Sequence, residues 1–186
     1  MGGFAMKKCI LVLAICLIVP NSVAAQDSDS PAALNASRFS IAAGIGFFAE
    51  DNFDGFLVNF GGLHHFDEKW SVGLDFQIGI EDDFTIFSMP FYGRYDFGNI
   101  PVGVPVLKDI HPFAKTGIGF TFAKLDTQLG NSDDTGFLFV IGGGVAYPVL
   151  QNLSLESTML FNVTTNDFFD DDFYFTWEIL SARVRF

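Results

Sequence analysis

The chain has two cysteines, Cys9 and Cys16, and nothing beyond residue 25 carries a thiol. A disulfide framework or a thiolate metal site therefore cannot hold the rest of the chain together. Basic side chains are scarce: 10 Lys and Arg face 22 Asp and Glu, for a formal net charge of −12. A phosphate backbone is repelled by such a chain, which argues against nucleic acid as a partner. Long hydrophobic runs are missing too. The one apolar stretch, Cys9 to Pro20, falls short of the roughly 20 residues a spanning helix needs. Yet hydrophobic residues make up 49% of the chain, charged ones only 17%, and Phe alone accounts for 24. A chain at once apolar and acidic must keep its charges segregated.

From Met6 the sequence reads MKKCILVLAICLIVPNSVAA: two lysines, an apolar stretch, then Val23-Ala24-Ala25. That pattern predicts a cleaved secretory signal peptide over residues 1–25. Cleavage removes Lys7 and Lys8 and no acid, so −12 becomes −14. Ile15 stands before Cys16 where a lipoprotein signal wants a small residue, so lipidation is not expected. Residues 26–37, QDSDSPAALNAS, lack periodicity and read as a flexible leader. From residue 38 to 186 no gap is long enough to separate a second domain.

In WSVGLDFQIGI, Trp70, Val72, Leu74, Phe76, Ile78 and Ile80 alternate with Ser71, Gly73, Asp75, Gln77 and Gly79. In SLESTMLFNVT, Leu155, Ser157, Met159, Phe161 and Val163 oppose Ser154, Glu156, Thr158, Leu160, Asn162 and Thr164. Period two means strands. Eight such segments follow: 38–49, 55–66, 69–80, 84–97, 110–124, 136–148, 153–165 and 173–186. AEDNFD, IEDDFT, DTQLGNSDDT and NDFFDDD read as long acidic loops on one side, FDEK and PVLQN as short turns on the other. The inward candidates are small or charged: Gly44, Gly46, Gly117, Gly119, Gly142, Gly144 and the lumen group Asp75, Arg94, Lys115, Glu156, Arg183 and Arg185. Big apolar residues outside and small or charged ones inside predict an all-β fold: a single eight-stranded antiparallel up-and-down transmembrane β-barrel. Closure is what lipid demands, because an unpaired backbone group there costs several kcal/mol. Strand parity in ILSARVRF turns Leu180, Ala182, Val184 and Phe186 to lipid and Ser181, Arg183 and Arg185 inward. Glu178 would meet lipid in strict alternation, so a register change is expected near it, and Pro90 suggests a bulge.

HPFAKTGIGF (111–120), GGGVAYPVLQNLSLE (142–156), GRYDFG (93–98) and the final ARVRF resemble the small eight-stranded outer-membrane barrels of Gram-negative bacteria, the OmpA-like and opacity-protein superfamily. The resemblance covers residues 38–186. It implies residence in the outer membrane, contact with its lipid and lipopolysaccharide, and Phe186 as the terminal aromatic that the barrel-assembly machinery reads. Three departures stand out: Ala146 after the glycine run, Pro90 within a strand, and the long apolar connection GNIPVGVPVLKD.

Charge pairing is expected between Asp75 and Arg94 and between Glu156 and Arg183, with Lys115 joining either group. An eight-stranded barrel is narrow enough for side chains to fill, so the network reads as a plug. Thirteen acids populate the acidic side: Glu50, Asp51, Asp54, Glu81, Asp82, Asp83, Asp126, Asp133, Asp134, Asp167, Asp170, Asp171 and Asp172. They suit a hydrated fringe attracting divalent cations diffusely, since no stretch has the full ligand spacing of a calcium motif. His64, His65 and His111 show no ligand spacing and sit at strand ends, favouring capping or interface roles. His111 has no identifiable nucleophile. No catalytic residue, metal ligand or cofactor is expected. The function expected is a monomeric, non-enzymatic barrel with a structural or surface-interaction role in envelope integrity or adhesion. A conduit for small hydrophobic molecules, hinted at by Pro90 and Ala146, and a lipid-modifying enzyme are the alternatives.

Overall fold

The computed structural model describes residues 38–50, 53–82, 84–98, 109–127, 130–165 and 172–186. The expected signal peptide and leader, and Asp51, Asp83, Asp167, Asp170 and Asp171, lie outside them. The described residues form eight strands and no helix: β1 (Phe39–Glu50), β2 (Phe53–His65), β3 (Trp70–Glu81), β4 (Phe84–Asp96), β5 (His111–Thr127), β6 (Gly130–Leu150), β7 (Leu153–Thr164) and β8 (Phe173–Arg185). Each pairs antiparallel with the next, and β8 returns to β1 to close the barrel. Ala43, for instance, stands between Phe60 of β2 and Ala182 of β8. The Phe186 amide continues this seam, donating to the Phe39 carbonyl at 2.9 Å.

Antiparallel pairing of each strand with the next places the β1/β2, β3/β4, β5/β6 and β7/β8 connections at one end, the acidic rim. Both ends of the barrel sequence and the β2/β3, β4/β5 and β6/β7 connections share the other, the turn rim. The β2/β3 turn is tied by Asp67, whose Oδ1 accepts from the Trp70 and Lys69 amides at 2.7 Å each. Those two bonds hold its carboxyl below the usual carboxylate range.

Three of the four connections expected to be long acidic loops are tight. Glu50 faces Phe53, Glu81 faces Phe84 and Thr127 faces Gly130 across their hairpins. Asp54, Asp126, Asp133 and Asp134 therefore belong to paired strands, with Asp133 opposite Lys124. The reason is length. A tilted strand crosses the apolar band in about 9–11 residues, whereas β5 has 17 and β6 has 21. Beyond the band the hairpin continues into water, where the Gly, Asn, Ser and Asp cluster that signals a turn remains free to pair.

Pro90 makes no bulge. It sits opposite Gly119, and β4 holds one register against β3 on either side of it, Leu74 to Phe91 and Gln77 to Ser88. The irregularities fall elsewhere, and the one expected near Glu178 is real. On β8, Leu180 pairs with Ile45 while Glu178 pairs with Gly46, so one residue is unmatched. The same slip occurs against β7 between Glu156 and Thr158. Ile179 and Leu180 both face outward, and Glu178 turns inside, 5% exposed. A carboxylate that strict alternation would bury in lipid is delivered to the lumen by one extra residue.

Candidate functional site

The outer surface follows from the alternation. Aromatic rings collar the turn rim in linked sets: Phe39 lies 4.7 Å from His64, which meets Phe66 at 5.2 Å, and Trp70 lies 4.7 Å from Tyr95, which meets Phe97 at 5.0 Å. Higher on the wall Phe120 pairs with Phe137 at 5.3 Å and Phe161 with Phe175 at 5.5 Å. Phe186 is 46% exposed, in line with this band. Rings at both ends of an apolar wall are the girdles of a membrane barrel.

The interior has three storeys. Towards the acidic rim, Phe48, Phe84, Ile86, Ala123, Leu138, Val140 and Tyr174 form an apolar plug. Tyr174 is anchored by a 2.7 Å hydrogen bond between its hydroxyl and Ser88 Oγ. This storey was not expected from an interior of small and charged residues: here parity carries large apolar side chains inward.

The middle storey holds Asp75, Lys115, Tyr92, Asn59 and Glu178. Lys115 Nζ donates to Asp75 Oδ2 at 3.3 Å, and the Tyr92 hydroxyl donates to Oδ1 at 2.9 Å. Asn59 Nδ2 donates to Glu178 Oε2 at 2.8 Å. Two glycines make these carboxylates fit, since a Cβ on Gly61 would strike Asp75 Oδ1 and one on Gly44 would strike Glu178 Oε1.

The third storey, nearest the turn rim, centres on Glu156. Its Oε1 accepts from Arg94 Nη1 at 2.8 Å and Arg183 Nε at 2.9 Å. Arg94 also grips Asp96, Nη2 to Oδ1 at 2.7 Å, and lies over the Phe113 ring at 3.8 Å. The expected Glu156–Arg183 pair is thus formed. The pair expected between Asp75 and Arg94 is not: Asp75 takes Lys115, and Arg94 reaches Glu156 instead. Below this layer a vestibule of about 300 Å³ opens at the turn rim, lined by Ser40, His65, Arg94, Glu156, Arg183 and Arg185 among others. His111 and Ala146 line it too.

On the acidic rim, Asp54, Glu81, Asp82, Asp133, Asp134 and Asp172 are described, and among the described residues no cluster is arranged to hold a metal ion. Sequence reasoning missed Asp96, Asn59 and Tyr92. Asp96 stands two residues from Arg94 on the same face, a signal that parity alone carries.

A closed eight-stranded barrel with an apolar, girdled exterior and a lumen filled by side chains is an integral membrane barrel. Residues 9–185 match the outer membrane protein beta-barrel domain, and the chain belongs to that family, whose place is the outer membrane. No curated protein sequence matches the chain. Among solved structures it is similar to Neisserial surface protein A, at 17% identity and a TM-score of 0.65, over 81% of this chain and 98% of that one. The N-terminal β-barrel domain of Pseudomonas aeruginosa OprF is similar at 12% identity and a TM-score of 0.59, over 81% and 98%. Ail, the attachment invasion locus protein of Yersinia pestis, is similar at 17% identity and a TM-score of 0.55, over 81% and 99%. At these identities the likeness is one of fold.

Proposed function

We propose that this chain is a non-conducting barrel of a Gram-negative outer membrane, exported by a cleaved signal peptide, that supports envelope integrity and surface contact. One observation carries the reading: the lumen is stoppered by Phe48, Phe84, Ile86, Leu138, Val140 and Tyr174 at one end and cross-braced by Arg94, Glu156 and Arg183 at the other. A path for ions or apolar molecules would have to breach both layers, and breaking one partner out of a buried pair costs about 3–5 kcal/mol. What remains for contact is the outside: lipid against the apolar wall, and at the acidic rim lipopolysaccharide bridged diffusely by divalent cations. Phe186, seated in the aromatic band, serves as the strand end presented to the assembly machinery. Single-channel recording in planar bilayers tests the reading. The expected trace is flat; reproducible stepwise conductance from the folded barrel would overturn it and favour the conduit.

A further inference from the structure

The vestibule contains a group that filling the lumen does not require. His65, at the end of β2, is held between two serine hydroxyls. Ser40 Oγ of β1 lies 3.0 Å from its Nε2, and Ser71 Oγ of β3 lies 2.8 Å from its Nδ1. Arg183 Nη1 lies 3.3 Å from Ser40 Oγ. A guanidinium only donates. Ser40 Oγ therefore accepts from Arg183 and keeps its own proton available for His65 Nε2, in the tautomer whose Nδ1–H donates to Ser71.

A serine hydroxyl aimed at one imidazole nitrogen, with the other nitrogen fixed by a third residue, is the arrangement that activates an oxygen nucleophile. A comparison within the same lumen sharpens the point. Ser88, Thr121 and Tyr174 also form a hydroxyl cluster, at 2.7 and 3.4 Å, but it has no base and is sealed within the apolar plug. Ser40 and His65, by contrast, line a cavity of about 300 Å³ that opens to solvent.

We propose that Ser40 is the nucleophile, and His65 the general base, of a hydrolytic site for short, uncharged acyl esters at the turn rim. Ser71 is a positioning residue, and Arg183 supplies the cation beside the developing oxyanion. Ser40 Oγ bonds to the acyl carbon as its proton passes to His65 Nε2. The ester C–O bond then breaks, and the leaving alkoxide takes that proton as an alcohol. Water, deprotonated by His65, attacks the acyl-serine, the acyl–Oγ bond breaks, and Ser40 recovers its proton. The sum is ester plus water to carboxylic acid plus alcohol. Size and lining select the class. At about 30 Å³ per water, the cavity holds roughly ten waters, enough for an acyl group of a few carbons. The two cations Arg94 and Arg183 are balanced by the two carboxylates Glu156 and Asp96, and Leu150, Leu153 and Ala146 supply apolar wall.

The test uses the full chain in detergent, with folding of every sample verified by heat-dependent gel mobility. Diisopropyl fluorophosphate is the probe, its adduct is mapped by mass spectrometry, and p-nitrophenyl acetate hydrolysis is followed in parallel. The expected result is a single adduct at Ser40, formed only by the folded barrel and abolishing the hydrolysis. Ser40→Ala should lose both. His65→Phe should slow labelling about 100-fold or more. Ser71→Ala should slow it about tenfold and move the pH–rate profile, with Ser71→Thr restoring it, while Lys69→Ala in the adjacent turn should change nothing. Absence of an adduct at Ser40 in the folded wild type overturns the proposal whatever the variants do. Labelling that persists after unfolding, or that ignores loss of the imidazole in a folded variant, overturns it as well.

Discussion

Replacing Lys115 with Met removes the cation from the middle of the lumen while keeping most of the side chain's length. Asp75 is 1% exposed and Lys115 3%, so neither group has water to fall back on. At 3.3 Å and an effective dielectric of about 20, their attraction is roughly 5 kcal/mol. Its loss leaves Asp75 with the Tyr92 hydroxyl at 2.9 Å. The expected cost is about 3–5 kcal/mol. With a urea slope near 2 kcal/mol/M, the unfolding midpoint should fall by about 2 M. Fluorescence reports the transition, because Trp70 and Trp177 both face outward, and gel mobility of unboiled samples gives a second probe. Adding Asp75→Asn removes the stranded charge and keeps an acceptor for Tyr92, so the double variant should regain at least about 1 kcal/mol. A single-variant loss below about 1 kcal/mol, or a double variant as weak as the sum of its parts, would refute the claim that this pair is what balances the middle storey. The companion cycle between Arg94→Met and Asp75→Asn should be additive, because the partners of Arg94 are Glu156 and Asp96.

Phe48→Ala should hollow the apolar plug and cost about 3–5 kcal/mol in the same urea assay; an unchanged midpoint would mean the plug is dispensable. Deleting Ile179 removes the unmatched residue and leaves Leu180 as the single outward residue between Glu178 and Ser181, both of which stay inward. Heat-resistant folded barrel should therefore persist in vesicles, and a sharp drop would show that the bulge itself is needed. Asp67, fully exposed, has a lowered carboxyl pKa because it accepts from Trp70 and Lys69. Its contribution is accordingly present above the unfolded value of about 3.9 and is lost as pH falls through the lowered folded value. Amide exchange at Lys69 and Trp70 should accelerate there, and already at neutral pH in Asp67→Ala. Calcium titrated into the barrel should give weak, non-saturating heats that shrink in proportion when Asp133 and Asp134 become Asn; a stoichiometric isotherm would mean a formed cation site.

The class of fold, the number of strands and the sidedness of nearly every strand were legible in the residues from 38 onward. Period-two alternation is local, and lipid leaves closure as the only way to pair every backbone group. Parity also marked Glu178 as the residue strict alternation cannot place, and the extra residue on β8 appears beside it. The bulge expected at Pro90 was not there, because a proline facing a ladder position can forgo its bond without displacing its neighbours. The acidic loops were read too long because turn-forming residues also pair once a hairpin has left the membrane.

What the sequence by itself determined is therefore which side chains face inward. Which of them touch was decided by the tertiary structure alone. Arg94 and Glu156 are 62 residues apart and lie on β4 and β7, strands that are not neighbours, so their meeting depends on the width and tilt of the closed barrel. His65 reaches Ser40 and Ser71 because three strands end together at the turn rim, although Ser40 pairs in register with Leu63. Alternation along one strand carries no information about distance across a lumen, and that distance is what sets the partners of every charge inside it.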